Sequence, residues 1–311
     1  MTFPLIRAST GAMAARFEVA LTGGNAVRLE AAARQALQEA VRLDAMLSRY
    51  MPGSDVWDIN ARAAREPVRS DGRVLAFLQR CAALTCVTHG AFDITVGPLL
   101  DAWGITDGVG LQPEPADLDA ALKITGMHLV EIDRSTRSVR FLREGVLLDT
   151  GAIGKGTAID AIVESLSENG VDHALVESGT SSARCIGAPP GRAGWRIAIH
   201  EPLDEAGPGR LHELVLRDKA LAVSTPCGKQ VFVGGEWRGH VIDPRSGRPV
   251  HACLLAAAVG DSAELCDALS TALLVLGAPG LRELTAGGVL DGGLTIEVGD
   301  DGRHEVTRVG I

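Results

Sequence analysis

At 311 residues, with 46% hydrophobic residues and a net charge of −9, the chain is long enough for one large domain with a sizeable core. The acidic balance argues against nucleic acid as a partner, since no basic field would collect a phosphate backbone. No apolar run reaches the ~18 residues that a membrane span needs, so none is expected.

The opening stretch, MTFPLIRASTGAMAARFEV, lacks the apolar core and cleavage site of a secretory signal, and the expected location is cytoplasmic. Cys81, Cys86, Cys185, Cys227, Cys253 and Cys266 form no CxxC pair and no zinc spacing, so they read as buried thiols of a reducing compartment. Residues 1–9 read as a short flexible segment and residues 10–311 as the domain.

Ala15, Phe17, Val19 and Leu21 alternate with polar residues at strand period. Gly23-Gly24-Asn25 then turns the chain into a long amphipathic helix, 27–47. A polar loop, SRYMPGSDVWDIN, leads to a second helix over 74–88, broken by His89-Gly90. A short helix is predicted at 116–122. From Leu129 the runs VEIDR, SVRFL and GVLLD read as strands. HALVES is another, followed by a Gly-, Ser- and Pro-rich loop, SGTSSARCIGAPPG. Further strands are expected at 195–199, in HELVLRDKALAVSTP, in a KQVFVGGEW hairpin turning at Gly234-Gly235, in LLAAAV, and in a last hairpin closed at Asp301-Gly302. The pattern predicts an α+β fold, a single large domain with a mixed or antiparallel sheet core and flanking helices.

Three stretches carry chemistry. The first is LLDTGAIGKGTAID, residues 147–160, which reads strand, tight loop, helix. Gly151, Gly154 and Gly156 let backbone pass close to a bulky ligand, and the helix start offers free N–H groups to an anion. Lys155 adds a phosphate-seeking charge. It is not a P-loop, because Asp149 and Gly156 stand where that motif needs Gly and Ser or Thr. A turn that simply needs small residues would explain the same glycines. The second is DSAELCDALSTALLVLG, read as a helix over 261–277 with Asp261 as its cap and Glu264 completing a capping box. Asp267 and Thr271 lie four apart on one face, hard oxygen ligands suited to Mg²⁺. In isolation such a pair is more often a dipole-favoured acid and a back-bonded hydroxyl. Its apolar setting favours a bound cation, since an unpaired carboxylate there is costly. The third is RGHVIDPRSGRPV, where a strand carries His240 and Ile242 into a turn at Asp243-Pro244, making His240 a candidate general base.

Taken together, THGAFDITVGPLLDAWG, LLDTGAIGKGTAID, HVIDPRSGRP and CDALSTALLVLG resemble, in order, the motifs of the FAD:protein FMN transferases, the ApbE-like flavin transferases. LSRYMPGSDVWDIN and the GAM near the start add weaker matches, and the resemblance spans about residues 11–277. It implies an enzyme that uses Mg²⁺ and FAD, transfers FMN to a Thr or Ser hydroxyl of an acceptor flavoprotein, and releases AMP. Residue by residue, it implies FAD contacts at Met13, Ala91, Phe92, Asp93, Asp149, Lys155, His240 and Ile242. It implies metal ligation by Asp267, Thr271 and the Ala152 main chain, and activation of the acceptor hydroxyl by His240. The sequence departs from the family where Met13 is followed by Ala14-Ala15, at Gly179-Thr180-Ser181, and at Thr225-Pro226-Cys227, where Pro226 removes a backbone N–H. An FAD pyrophosphatase, with water in place of the acceptor, and a non-catalytic flavin-binding module would use the same metal and phosphate groups.

Overall fold

The computed structural model describes residues 4–200, 210–228, 230–299 and 301–311. Its spine is one eight-stranded antiparallel sheet. In spatial order the strands are β1 (Ile6–Ala12), β2 (Ala15–Leu21), β6 (Ala174–Ser178), β7 (Ser182–Ile186), β10 (Ala220–Ser224), β15 (Cys253–Gly260), β16 (Gly292–Val298) and β17 (His304–Val309). Side chains alternate across a strand, and β15 shows the consequence. Ala256 and Ala258 join the core under the helices, while Leu255, Ala257 and Val259 face the opposite side. Three long helices cover the first face: α1 (Ala26–Leu47), α6 (Gly154–Glu168) and α7 (Ala263–Ala286). A separate hairpin, β8 (Trp195–His200) with β9 (Arg210–Leu216), covers the second through Trp195, Ile199, Leu214 and Leu216.

Smaller elements close one end. Helices α2 (Asp55–Arg62) and α3 (Gly72–Val87) pack with a three-stranded sheet of β3 (Val68–Arg69), β5 (Ser138–Phe141) and β4 (Val130–Asp133). A third apolar cluster joins α4 (Gly97–Ala102) and α5 (Pro115–Leu122) to the hairpin β11 (Gln230–Val233) and β12 (Glu236–Gly239). Ile242, in the two-residue strand β13 (Ile242–Asp243) that pairs with β14 (Arg248–Pro249), belongs to it.

The α+β class and the antiparallel sheet match the sequence reading; several local expectations do not. Residues 6–9 are not a flexible head, because they belong to β1, whose main chain pairs along its length with β2. GVLLD forms only a single parallel bridge, Val96 to Leu147. The Asn60 side chain takes the neighbouring strand's place: its Nδ2 donates to the Leu148 carbonyl at 3.0 Å and its Oδ1 accepts from the Leu148 N–H at 2.8 Å. The expected loop 178–191 contains β7, which pairs with both β6 and β10.

Helix α7 is capped by Ser262, whose Oγ accepts from Leu265 N–H, while Asp261 turns outward to Lys219. The helix does break at Gly277 (φ 62°), where the Glu297 carboxylate occupies the side-chain space and accepts the Ala278 N–H at 2.8 Å, but helical backbone resumes to Ala286. Among the described residues, α7 is therefore the one helix long and apolar enough to cross a membrane, and most of it is buried in the core. Of the cysteines, Cys81, Cys185, Cys253 and Cys266 are buried, whereas Cys86, on the last turn of α3, is exposed.

The Asn60 bracket makes a stability prediction. Asn60→Leu leaves both polar groups of Leu148 without their side-chain partner, which should cost about 1–3 kcal/mol. Urea unfolding of both proteins measures it, and an unchanged midpoint would show that water or neighbouring backbone replaces the amide without loss.

Candidate active site

The glycine loop leaves the Leu148 bracket with its conformation already fixed. Asp149 N–H donates to the Ile94 carbonyl at 2.6 Å. The Asp149 carboxylate accepts from Gly151 N–H at 2.8 Å through Oδ1 and from Arg49 Nη1 at 3.0 Å through Oδ2. Arg49 is nearly enclosed, and its second nitrogen reaches Asp101 at 3.2 Å. Thr150 Oγ1 donates to the Leu47 carbonyl at the end of α1. Met13 and Ala14 form the positive-φ turn between β1 and β2. Met13 N–H donates to Asp44, and its sulfur lies over Gly154 at the start of α6. Met13, Asp149, Ala152 and Lys155 thus converge on one short segment.

The second helix enters at Gly156. A methyl group on this residue would overlap the Ala263 carbonyl and lie 2.7 Å from Asp267 Cβ, so α6 and α7 touch backbone to backbone here. The approach lets Gly156 N–H donate to Asp267 Oδ2 at 2.9 Å. Ser182 Oγ donates to Asp267 Oδ1 at 3.1 Å, and Lys155 Nζ lies 3.6 Å from the same oxygen. Asp267 is 3% exposed. Burial pushes its carboxyl above the ordinary carboxylate range, opposed by the Lys155 charge and by the donors from Gly156 and Ser182.

Two other carboxylates fasten the crossing. Asp160 on α6 accepts from Ser262 Oγ and from the N–H groups of Ala263 and Glu264, a negative charge where the dipole of α7 favours one. Glu264 does not close a capping box; it is bound by Arg80 and by Thr157 Oγ1. One turn beyond Asp267, Thr271 Oγ1 lies 3.3 Å from the Asp267 carbonyl and 3.3 Å from Ser224 Oγ. Ser224 Oγ is also 2.8 Å from Ser270 Oγ.

This donor set suits a small hard cation. Asp267 supplies a carboxylate and Thr271 a hydroxyl, oxygen ligands of the kind Mg²⁺ takes. Burial disfavours the ionised Asp267 even with Lys155 nearby, so further positive charge beside it would be stabilising. Among the described residues no group of three or more His, Cys, Asp or Glu side chains forms a metal cage, which leaves water and substrate oxygens to complete such a shell.

The remaining expected residues are placed as follows. His240 follows β12, half-buried, with its Cε1 against Gly228. Gly228 ends the short turn Pro226–Gly228 that follows Ser224, the residue whose Oγ lies near Thr271. Ile242 is packed with Trp103, Val231 and Val233. Ala91 and Phe92 are core residues. Asp93 ties its own loop, accepting from Thr95 N–H and Oγ1 and from Met127 N–H. It also borders a cavity of about 570 Å³ lined by His89, His128 and Arg245 among others. That cavity contains none of Lys155, Asp267 or Thr271, so the polar chemistry lies outside it. Arg49, Ser182, Ser224 and Asp160 are additions from the fold. Arg49 lies in the SRYMPGSDVWDIN stretch and Asp160 ends LLDTGAIGKGTAID, but the sequence does not give the partners of these four residues, which are met only through tertiary contact.

Comparison with known proteins shows the family and the fold. The family model described as the ApbE family matches residues 13–290. A FAD:protein FMN transferase of Vibrio cholerae is 30% identical over 235 residues, covering 74% of this chain and 69% of the relative. One from Klebsiella pneumoniae is 30% identical over 221 residues, covering 71% and 67%. Among solved structures, the ApbE protein from Thermotoga maritima superposes with a TM-score of 0.84 at 26% identity, covering 97% of this chain and 96% of that one. The apo form of the Pseudomonas stutzeri flavinyl transferase ApbE gives 0.84 at 26% identity, covering 99% and 95%.

The helix crossing supplies the prediction here. Gly156→Ala forces a methyl into backbone of α7 that cannot swing aside, and should cost about 1–3 kcal/mol in urea unfolding. Gly154→Ala is the control, since the nearest atom to its added methyl is the flexible Met13 sulfur at 3.5 Å. Equal stability of the two variants would mean that the crossing yields freely.

Proposed function

Because the chain belongs to the ApbE family, we propose that it transfers FMN from FAD to a hydroxyl group of a target protein and releases AMP. The observation that carries this reading is the meeting of Lys155, at the start of α6, with the buried Asp267 of α7 inside the family-matched region. The relatives in Vibrio cholerae and Klebsiella pneumoniae are named FAD:protein FMN transferases.

The residues divide the work as follows. Lys155, a quarter exposed, reaches from the loop toward a ligand's phosphates, where its charge offsets theirs. Asp267, Thr271 and the Ala152 carbonyl would hold Mg²⁺, which when bound neutralises pyrophosphate charge and favours departure of the phosphate-bearing leaving group. Arg49 fixes Asp149, and Met13 covers the loop at Gly154, so the flavin side of the site is set by side chains already ordered. The acceptor is a Thr or Ser side chain, a weak nucleophile until its proton is removed. His240 takes that proton as the acceptor oxygen bonds to the FMN phosphorus. The bond from that phosphorus to the AMP oxygen breaks, and AMP leaves with the electron pair. Positioning and electrostatics carry most of the step.

The test is single-turnover labelling with FAD and Mg²⁺, using extract of the source organism deleted for this chain as the supply of acceptor and in-gel flavin fluorescence as the readout. His240→Asn should keep FAD affinity near wild type and slow labelling by roughly 10²–10⁴-fold. Labelling at the wild-type rate by folded His240→Asn would remove the imidazole from proton transfer. A wild-type protein that releases AMP but labels nothing would reject the transferase reading itself.

A further inference from the structure

The β11–β12 hairpin carries a feature that neither the core nor the phosphate chemistry uses. Its inward residues, Val231 and Val233, are each 4% exposed and lock it to Trp103 and Ile242. Its outward face holds Phe232 and Trp237, directly opposed across the two strands. Their rings meet edge-on with centroids 5.3 Å apart, yet they are 56% and 65% exposed. Two large aromatics held in place and left in water are costly to solvate and serve no packing role. The apolar surface continues beside them. Gly110 abuts the Phe232 carbonyl, and its neighbours Val109 and Leu111 are also largely exposed.

The chain on either side of the hairpin leads to residues of the proposed site. Upstream, Ser224 touches Ser270 and Thr271 on α7. Downstream, Gly239 packs against Pro226 and is followed at once by His240. A protein that presents a hydroxyl to His240 therefore approaches the chain three residues from Trp237. The hairpin forms a two-stranded sheet of its own, which suits recognition of an extended segment. Exposed, rigid Trp and Phe side chains are the kind that anchor protein contacts.

We infer that the Phe232–Trp237 face of the β11–β12 hairpin is the docking surface for the acceptor protein, and that it takes an extended segment with apolar side chains beside the hydroxyl to be modified. The inference rests on the transferase reading above. It assigns acceptor capture to a surface separate from the groups that hold FAD.

The experiment uses the source organism deleted for this chain and complemented with wild type, with Phe232→Ser/Trp237→Ser, or with Trp237→Tyr. Covalently flavinylated proteins are read as fluorescent bands on denaturing gels. FAD binding by each purified full-length protein is read by fluorescence quenching. The double variant should lose at least ~10-fold in band intensity while its FAD affinity stays within about twofold of wild type, and Trp237→Tyr should label as wild type does. A photo-crosslinking residue at position 237 should yield an adduct band that is itself flavin-fluorescent. Undiminished labelling by the double variant overturns the docking surface and leaves the transferase reading intact. A parallel loss of FAD affinity also overturns it, by showing that the aromatics support the pocket. Vesicles of anionic phospholipid that bind wild type but not the double variant, with labelling unchanged, assign the face to a membrane instead. No labelled band with wild type rejects the transferase reading, and this inference falls with it.

Discussion

Helices α6 and α7 meet at a point where one of them has no side chain. At Gly156 the backbone of α6 rests on the Ala263 carbonyl, and that contact brings an otherwise unused N–H of the first helical turn onto the Asp267 carboxylate. Everything polar in the site is referred to this crossing. Lys155 precedes it by one residue and Thr271 follows Asp267 by one turn. Ser182 reaches the same carboxylate from the sheet. A buried acid is normally a liability, and the donors around Asp267 offset only part of its desolvation. Such an acid is retained where a cation completes the balance. The seam is reinforced on both flanks, by Asp160 at the start of α7 and by the Arg80–Glu264–Thr157 contact.

The same constraint shows which parts of the site are legible in the sequence. Asp267 and Thr271 are readable because helical spacing alone puts them on one face, and their apolar neighbours make the pair conspicuous. The loop glycines are readable as a close approach, but not what approaches. The sequence suggests a ligand at Gly156, whereas the structure places the backbone of α7 there. Motif order identifies the family, since four separated segments recur together. Arg49 and Asn60 are not readable, because their partners are 100 and 88 residues away in the chain. Asn60 also explains the misread strand at GVLLD: the apolar run is genuine, but a side-chain amide replaces a second strand. Strand β7 is hidden by its small and polar residues, SARCI, which pair on both sides despite weak strand propensity. The cap of α7 falls to Ser262 rather than Asp261 because Lys219 holds Asp261 outside the helix.

The layout separates three tasks among three supports. The glycine loop and Lys155 sit on α6, ordered by the Arg49–Asp149 pair and by the Met13 turn. Asp267 and Thr271, the proposed cation ligands, sit on α7. His240 sits at the foot of a hairpin whose valines join the third apolar cluster, away from both helices. A transferase needs this division, because nucleotide and acceptor must be held independently and brought together only at the reacting phosphorus. The Thr225-Pro226-Cys227 departure falls between Ser224 and the hairpin, outside the α6–α7 crossing.

The most direct measurement is calorimetric titration of Mg²⁺ into the FAD-bound protein, wild type against Asp267→Asn, with AMP release followed on the same samples. The substitution removes the charge while keeping an oxygen for Gly156 N–H. Saturable Mg²⁺ binding and AMP release by wild type, with both lost in the folded variant, is the result that follows from a cation anchored at the helix crossing. Equal Mg²⁺ affinity and equal AMP release in the two proteins would contradict it and move the cation elsewhere.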